Sequence, residues 1–233
     1  MNFVPSQRRT SIRRALIVSA IAWPFPWFLR RWLLRVICGY SFAPGARVGH
    51  SLLGCTSLRM DGAARIGHFN VVKGMRVELG EHATIGDFNW ISALPPGSGR
   101  HFADEPARDP ALILGRHAAL TARHYVDCCN RVDIGEFATV AGARSQILTH
   151  AVDLKLNRQV TAPVRIGRYC FVGTASVVLK GAELPDCSVL AAGSTLTRAF
   201  DETFTLYSGV PAQAVKALDR DAEYFRRQRG HVD

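Results

Sequence analysis

The sequence predicts a mainly β solenoid, a chain wound into a three-faced prism, and three observations predict it. Aliphatic residues fall every six positions at Ile166, Val172, Val178, Leu184, Leu190 and Leu196. Small residues follow four positions later at Cys170, Ser176, Ala182, Ser188 and Ser194, with Phe200 the exception. Glycine directly follows the aliphatic residue at Gly67, Gly80, Gly86, Gly115, Gly135, Gly167 and Gly173. A helix repeats its apolar face every three or four residues and a half-buried strand every two, so a period of six fits neither. It fits hexads that each form one short flat face, with the aliphatic side chain on the axis and a small one near a corner. The glycines are expected at corners whose backbone conformation other residues resist.

Taken in order, residues 1–45 form a basic, aromatic flank expected to be helical. Arg8, Arg9, Arg13 and Arg14 precede the apolar stretch ALIVSAIAWPFPWFL, and Arg30, Arg31 and Arg35 follow it, with Trp23, Trp27 and Trp32 interleaved. The stretch is shorter than the roughly 20 residues a spanning helix needs, and Pro24 and Pro26 interrupt it. It fits an interfacial helix attracted to anionic lipid, or a cap over the open end of the solenoid. Residues 46–207 carry the winding. Met60, Ile66 and Val72 keep the beat; Leu79, Ile85 and Ile91, then Leu114, Leu120 and Val126, then Ile134 and Val140 resume it after short slips. At 18 residues to a coil these runs supply roughly six or seven coils. Residues 94–112, rich in Pro, Gly and charge, and residues 151–163, which carry no hexad, are expected to leave the prism as loops. Residues 208–233 form a tail in which RDAEYFRRQRG is expected to be a solvated helix.

The chain of 233 residues holds one solenoid with flanking pieces. Its net charge of +10 suits a protein that binds an anionic cofactor, and no nucleic-acid module is recognisable. The six cysteines, at 38, 55, 128, 129, 170 and 187, show neither a zinc-ligand spacing nor a disulfide framework, which fits a reducing compartment such as the cytoplasm. Among eight histidines, His150 stands apart. It closes a regular coil in ILTHAVD where the second excursion begins, so a rigid frame holds it beside whatever the loop encloses. Asp153 is the candidate partner for its second ring nitrogen.

The segments IGEFATVAGARSQILTHAVD, TAPVRIGRYCFVGTASVVLKGAELPDCSVLAAGSTLT and SGVPAQAVKAL resemble the hexapeptide-repeat O-acetyltransferases, over roughly residues 48–218. Within them the chain is most similar to the branch found in colanic-acid and other exopolysaccharide biosynthesis. The resemblance implies a left-handed parallel β-helix and a homotrimer with active sites between subunits. It also implies direct acetyl transfer from acetyl-CoA to a sugar hydroxyl, with His150 as general base and no metal. By the same resemblance, Gly173, Thr174 and Ala192 lie along the pantetheine arm, Thr197 and Arg198 beside the nucleotide, and Lys216 near the phosphates. Gln213 stands where a relative carries arginine. Phe171 replaces the usual tryptophan, Ala151 and Val152 replace the second histidine of the T-H-D-H form, and the acceptor-holding asparagine has no clear equivalent. Asn89 and Asn130 are candidates for it on chemistry alone. The acceptor is a glycan precursor, lipid-linked or free, or a small-molecule hydroxyl. Two other readings stand beside this one. A zinc hydratase of the γ-carbonic-anhydrase type would draw on His82, His117 and His124. A trimeric scaffold at a membrane would need no chemistry. A covalent route through Cys128 or Cys129 is a third, minor possibility.

Overall fold

The computed structural model describes residues 11–95, 97 and 101–230; Arg8, Arg9 and His231 lie outside them. The chain forms a left-handed parallel β-helix whose three faces carry seven, nine and seven strands. Face A runs from Ser41–Phe42 to Glu183–Leu184, face B from Arg47–Val48 to Ala212–Ala217, and face C from Leu52–Gly54 to Thr195–Leu196.

The hexad residues stack in three internal columns. Met60, Leu79, Leu114, Ile134, Ile166 and Leu184 are in register on face A. Ile66, Ile85, Leu120, Val140, Val172 and Leu190 line face B. Val72, Ile91, Val126, Ile147, Val178 and Leu196 line face C, and all three columns are buried. Each such side chain contributes about 1.5–3 kcal/mol of burial. Ile147 escaped the six-residue count because one extra residue is absorbed in the turn after Val140. Phe42, Val48 and Leu53 form an additional first coil that begins before residue 46.

The small residues at the fourth following position are buried as expected. Their polar atoms close the corners: the Ser176 hydroxyl lies 2.9 Å from Gly173 O and 3.1 Å from Ala191 O. The glycines have a different reason from the one expected. None of the seven adopts a positive φ; a Cβ on Gly86 would stand 2.3 Å from Thr121 O, and one on Gly135 2.7 Å from the Gly167 carbonyl carbon. They are required because successive coils touch there. The left-handed corners are instead held by His82 (φ 58), His117 (φ 58), Phe137 (φ 59) and Tyr169 (φ 55).

Two helices, α1 (Ile12–Ile21) and α2 (Trp27–Cys38), cover the first coil. Ala15, Leu34 and Cys38 join its core. The edge of the first coil would otherwise present unpaired backbone groups. The cap satisfies them: Leu53 N donates to Ser19 Oγ, Trp27 Nε1 to Ala46 O, and the Arg30 guanidinium to Val48 O and Gly49 O. The opposite side of the helices is apolar and exposed at Ile17, Ile21, Phe28, Trp32 and Val36. Trp23 and Trp27 pack inward, on His50 and Phe42, which leaves Trp32 as the exposed tryptophan of the three. No helix among the described residues is long and apolar enough to cross a membrane.

The described parts of the two excursions meet, with Thr161 N donating to Glu105 and Arg158 beside Asp104. Residues 151–163 are not an irregular loop but an antiparallel hairpin, His150–Asp153 with Arg158–Thr161. The C-terminal helix is also absent: Ala212–Ala217 is a strand, and one 3₁₀ turn at Glu223–Phe225 follows. The tail runs back along the solenoid because its side chains find partners there. Tyr224 Oη donates to Cys170 O, and the Arg227 guanidinium lies over the Tyr224 and Tyr169 rings.

Candidate active site

His150 is the first residue to leave the prism after the face C strand Gln146–Leu148. The fully buried Thr149 before it anchors that exit point. Asp127 ends the strand one coil earlier, in register with Leu148. This stacking brings Asp127 Oδ2 within 2.6 Å of His150 Nδ1. The carboxylate is buried and saturated: Cys129 N donates to Oδ1, and Thr149 N, Thr149 Oγ1 and the ring N–H converge on Oδ2. In the neutral ring Asp127 therefore fixes the tautomer, placing the hydrogen on Nδ1 and the lone pair on Nε2. Nε2 has no hydrogen-bond partner among the described residues.

The pair is charge-coupled. Burial pushes the Asp127 carboxyl up, but hydrogen bonds from His150 and Cys129 outweigh it and hold the group at about 2. The His150 imidazole rises to about 10, first through its bond to Asp127 and then through Cys129. The ordinary imidazole value is about 6.5; the carboxylate makes the ring a much stronger base.

Asp153, the partner expected from sequence, does not reach the ring. The hairpin carries the chain away from His150 at about 3.3 Å per residue, and Asp153 Oδ1 instead accepts Lys155 N and Leu156 N in the hairpin turn. Asn89 is also unavailable. It is buried in a ladder through the corner between faces B and C, where its amide bonds Asn70 Oδ1, Thr121 O and His124 N. Asn130 sits at the hairpin base, with Nδ2 donating to Thr161 Oγ1 and Oδ1 accepting Arg131 N, so both amide atoms frame the site.

Besides Asp127, three contributors were not found from sequence. The Phe102 ring stands edge-on to His150 at 5.9 Å and 82°, and the buried Arg108 guanidinium lies 4.6 Å from the Phe102 centroid. Arg108 donates to Leu94 O, Pro95 O and Cys129 O, pinning the first excursion beside the histidine. Glu105 accepts Thr161 N and Oγ1 from the hairpin. Between the two excursions lies a pocket of about 350 Å³ reached by Phe102, Asp104, Val152 and Arg158.

The other predicted positions sit on later coils. Gly173 and Ala192 stack in the corner between faces B and C, where a Cβ on Gly173 would lie 2.5 Å from Ala192 N. Thr174 is exposed, and its hydroxyl already donates to Ala143 O at 2.8 Å. Thr197 and Arg198 are exposed on the edge where His150 leaves the prism, two coils further on. The Arg198 guanidinium rests over Phe200 at 4.6 Å. Lys216 is exposed on the terminal strand, opposite Leu206.

The three histidines of the hydratase reading do not converge within the chain. His82 and His117 stack at 4.8 Å on the corner between faces A and B. His124 is buried in the next corner with both nitrogens occupied, by Thr121 Oγ1 and Ser145 N. Cys128 is fully buried, and that burial pushes its thiol well above the usual range, which disfavours a thiolate nucleophile.

Compared by sequence, the chain matches no protein-family model and no curated protein. Compared by structure, it is similar to the N-acyltransferase AntD from Bacillus cereus, solved with dTDP-4-amino-4,6-dideoxyglucose and coenzyme A. The identity is 15% and the TM-score 0.51, over 77% of this chain and 85% of that one. It is also similar to the Bacillus cereus gene product BC4754, provisionally named an acetyltransferase, at 18% identity and a TM-score of 0.50, over 70% of this chain and 78% of that one. These likenesses establish a shared fold.

Proposed function

We propose that the protein is an acetyl-CoA-dependent O-acetyltransferase acting on a sugar hydroxyl of an exopolysaccharide or surface-glycan precursor. The observation that carries the reading is the Asp127–His150 pair, with one ring nitrogen held by a buried carboxylate and the other free. Nε2 takes the proton from an acceptor hydroxyl as that oxygen attacks the thioester carbonyl. The imidazolium is stabilised by Asp127 and then returns the proton to the departing CoA sulfur, so no group on the enzyme is left modified. A hydroxyl is a poor nucleophile until its proton is taken, and a base strengthened by a carboxylate suits that task. An amine acceptor, as the name of AntD implies for that protein, gains less from such a base once it is neutral.

Arg198 and Lys216 supply positive charge for the donor's phosphates, and the turns at Gly173, Thr174 and Ala192 supply backbone for the pantetheine arm. The family likeness at these residues supports a homotrimer with donor clefts between copies. The decisive experiment incubates the protein with labelled acetyl-CoA and surface-glycan precursors. Label released by mild alkali is an ester and supports the reading; alkali-stable label is an amide and overturns it.

The exposed apolar side of α1 and α2, flanked by Arg13, Arg14, Arg31 and Arg35, supports peripheral contact with the inner face of the cytoplasmic membrane. Each arginine near an anionic surface contributes about 1 kcal/mol, and copies in an oligomer act together. Deleting the helices would open the core, so the test is a paired substitution on the exposed side. Phe28→Ser with Trp32→Ser should abolish co-sedimentation with anionic vesicles while leaving the fold intact; unchanged sedimentation would reduce the helices to a cap.

A further inference from the structure

Where α2 begins, a cleft of about 770 Å³ opens between the helix and the first coils of face B, remote in the fold from the His150 edge. Arg47 and Arg65 are register partners on adjacent strands, both exposed, and both line it. Neither makes an ion pair or side-chain hydrogen bond among the described residues. Two guanidinium groups side by side repel each other, and among the described residues no carboxylate is ion-paired with either. Asp87 is the one carboxylate among the lining residues, and its Oδ1 is taken by His68 N. The buried Arg30 also lines the cleft, with its Nε unpartnered. His50 and His68 face each other at 5.3 Å on the same wall. The N-cap Pro26 and the first helical residue Trp27 line the cleft, so the positive end of the α2 dipole adds to the cationic groups.

We infer that this cleft is a second binding site, for the diphosphate of a phosphorylated amphiphile. Adjacent strands lie roughly 4.8 Å apart, close enough for the two flexible guanidinium forks to engage two linked phosphate groups together; a single carboxylate would engage only one. The volume lies in the range of small-molecule sites and leaves room beyond the phosphates. The lipid part follows from the surroundings. Phe25 lines the cleft and is exposed, and Pro24, Pro26 and Trp27 beside it give the wall next to the arginines an apolar surface. The inference deepens the membrane-facing part of the function proposed above by naming the headgroup chemistry the first coils select. It does not depend on acetyl transfer.

The test is calorimetric titration of the full-length protein with inorganic pyrophosphate and with farnesyl diphosphate. The wild type should bind both, the lipid diphosphate more tightly. Arg47→Gln with Arg65→Gln should weaken both by roughly tenfold or more. Phe25→Ser should weaken only farnesyl diphosphate. Pyrophosphate binding that is equal in the wild type and the double arginine variant would overturn the site. Equal affinity of the wild type for the two probes would overturn the amphiphile and leave a free diphosphate as the ligand class. An increased KM for acetyl-CoA in the arginine variant, measured with a soluble acceptor, would assign the cleft to the donor and also overturn the inference. Because binding is read without turnover, failure here leaves the His150 chemistry untouched, and failure of acetyl transfer leaves this result standing.

Discussion

His124 and His150 lie about one coil apart on the same rigid scaffold, yet their environments drive them in opposite directions. His124 is buried in a corner, accepts Ser145 N at Nδ1 and meets the Thr121 hydroxyl at Nε2. Its partners are neutral, so burial alone decides and pulls it down to about 4. His150 meets a carboxylate and rises to about 10, even though burial opposes the charge there too. The second difference is access. The chain turns onward after His124, whereas after His150 it departs as a hairpin and leaves one nitrogen open. In a solenoid, chemistry appears where the winding is broken and an acid stands one coil behind.

The comparison breaks most sharply on removal of each ring. His150→Ala should lower kcat/KM by about a hundred- to ten-thousand-fold, the usual worth of a general base, while the protein stays folded because no core volume is lost. His124→Ala should do the reverse: near-normal kcat per folded molecule, but about 1–3 kcal/mol less stability in urea, since buried groups around it lose partners. Similar behaviour of the two variants in both assays would remove the distinction.

Exchanging the partner is the next largest effect. Asp127→Asn should cost roughly tenfold to a thousandfold in kcat/KM, because a wrongly held tautomer and a weaker base remain. Asp153→Asn should leave turnover nearly unchanged, as its carboxylate serves only the hairpin turn. The pH profile sharpens the point. With the imidazole raised to about 10, the basic form grows as pH rises, so kcat/KM should climb through neutrality and level in the alkaline range. In Asp127→Asn the plateau should arrive earlier, near the ordinary imidazole value of about 6.5. Profiles that coincide would show that Asp127 does not tune the base.

Arg198 and Lys216 touch neither histidine, so their effect should be confined to the donor. Arg198→Ala and Lys216→Ala should each weaken acetyl-CoA binding by about 1–3 kcal/mol while leaving the pH profile in place. Unaltered binding in both variants would move the nucleotide elsewhere.

Much of this was legible in the sequence, for a physical reason. A solenoid repeats its packing every coil, so Ile166 to Leu196 announce their columns by spacing alone, and His150 by ending one. What one coil does to the next was harder to read. Asp127 lies 23 residues before its partner, at the end of a strand whose register with Leu148 depends on how many residues each corner absorbs. An acid one coil ahead of the exit histidine was the available signal; proximity along the chain pointed to Asp153 instead. Asn89 was misread because polar residues in this prism also line a buried ladder. The glycines were correctly located and wrongly explained, since close approach between coils, and not φ, excludes a side chain there. The C-terminal helix failed because Tyr224 and Arg227 gain more from the aromatic corner than from local helical bonds.

The smallest expected effect is on stability, and there the two histidines should separate by sign. A group whose pKa is raised on folding stabilises most below its unfolded value and loses that contribution as pH rises through the folded one. For His150 the loss therefore spans about 6.5 to about 10. A group lowered on folding behaves oppositely: His124 costs nothing above about 6.5 and destabilises progressively as pH falls toward about 4. Asp127, held at about 2, keeps its contribution above the ordinary carboxyl range near 3.9 and yields it only below that. Urea midpoints measured from pH 4 to 10 should thus be highest near pH 6.5, falling on both sides for different reasons. His124→Ala should flatten the acidic limb and His150→Ala the alkaline one. Because His150 is partly open to solvent, its limb should be the shallower. If His150→Ala instead flattened the acidic limb, the ring would be buried neutral in the folded protein, and the carboxylate pairing that distinguishes it from His124 would be wrong.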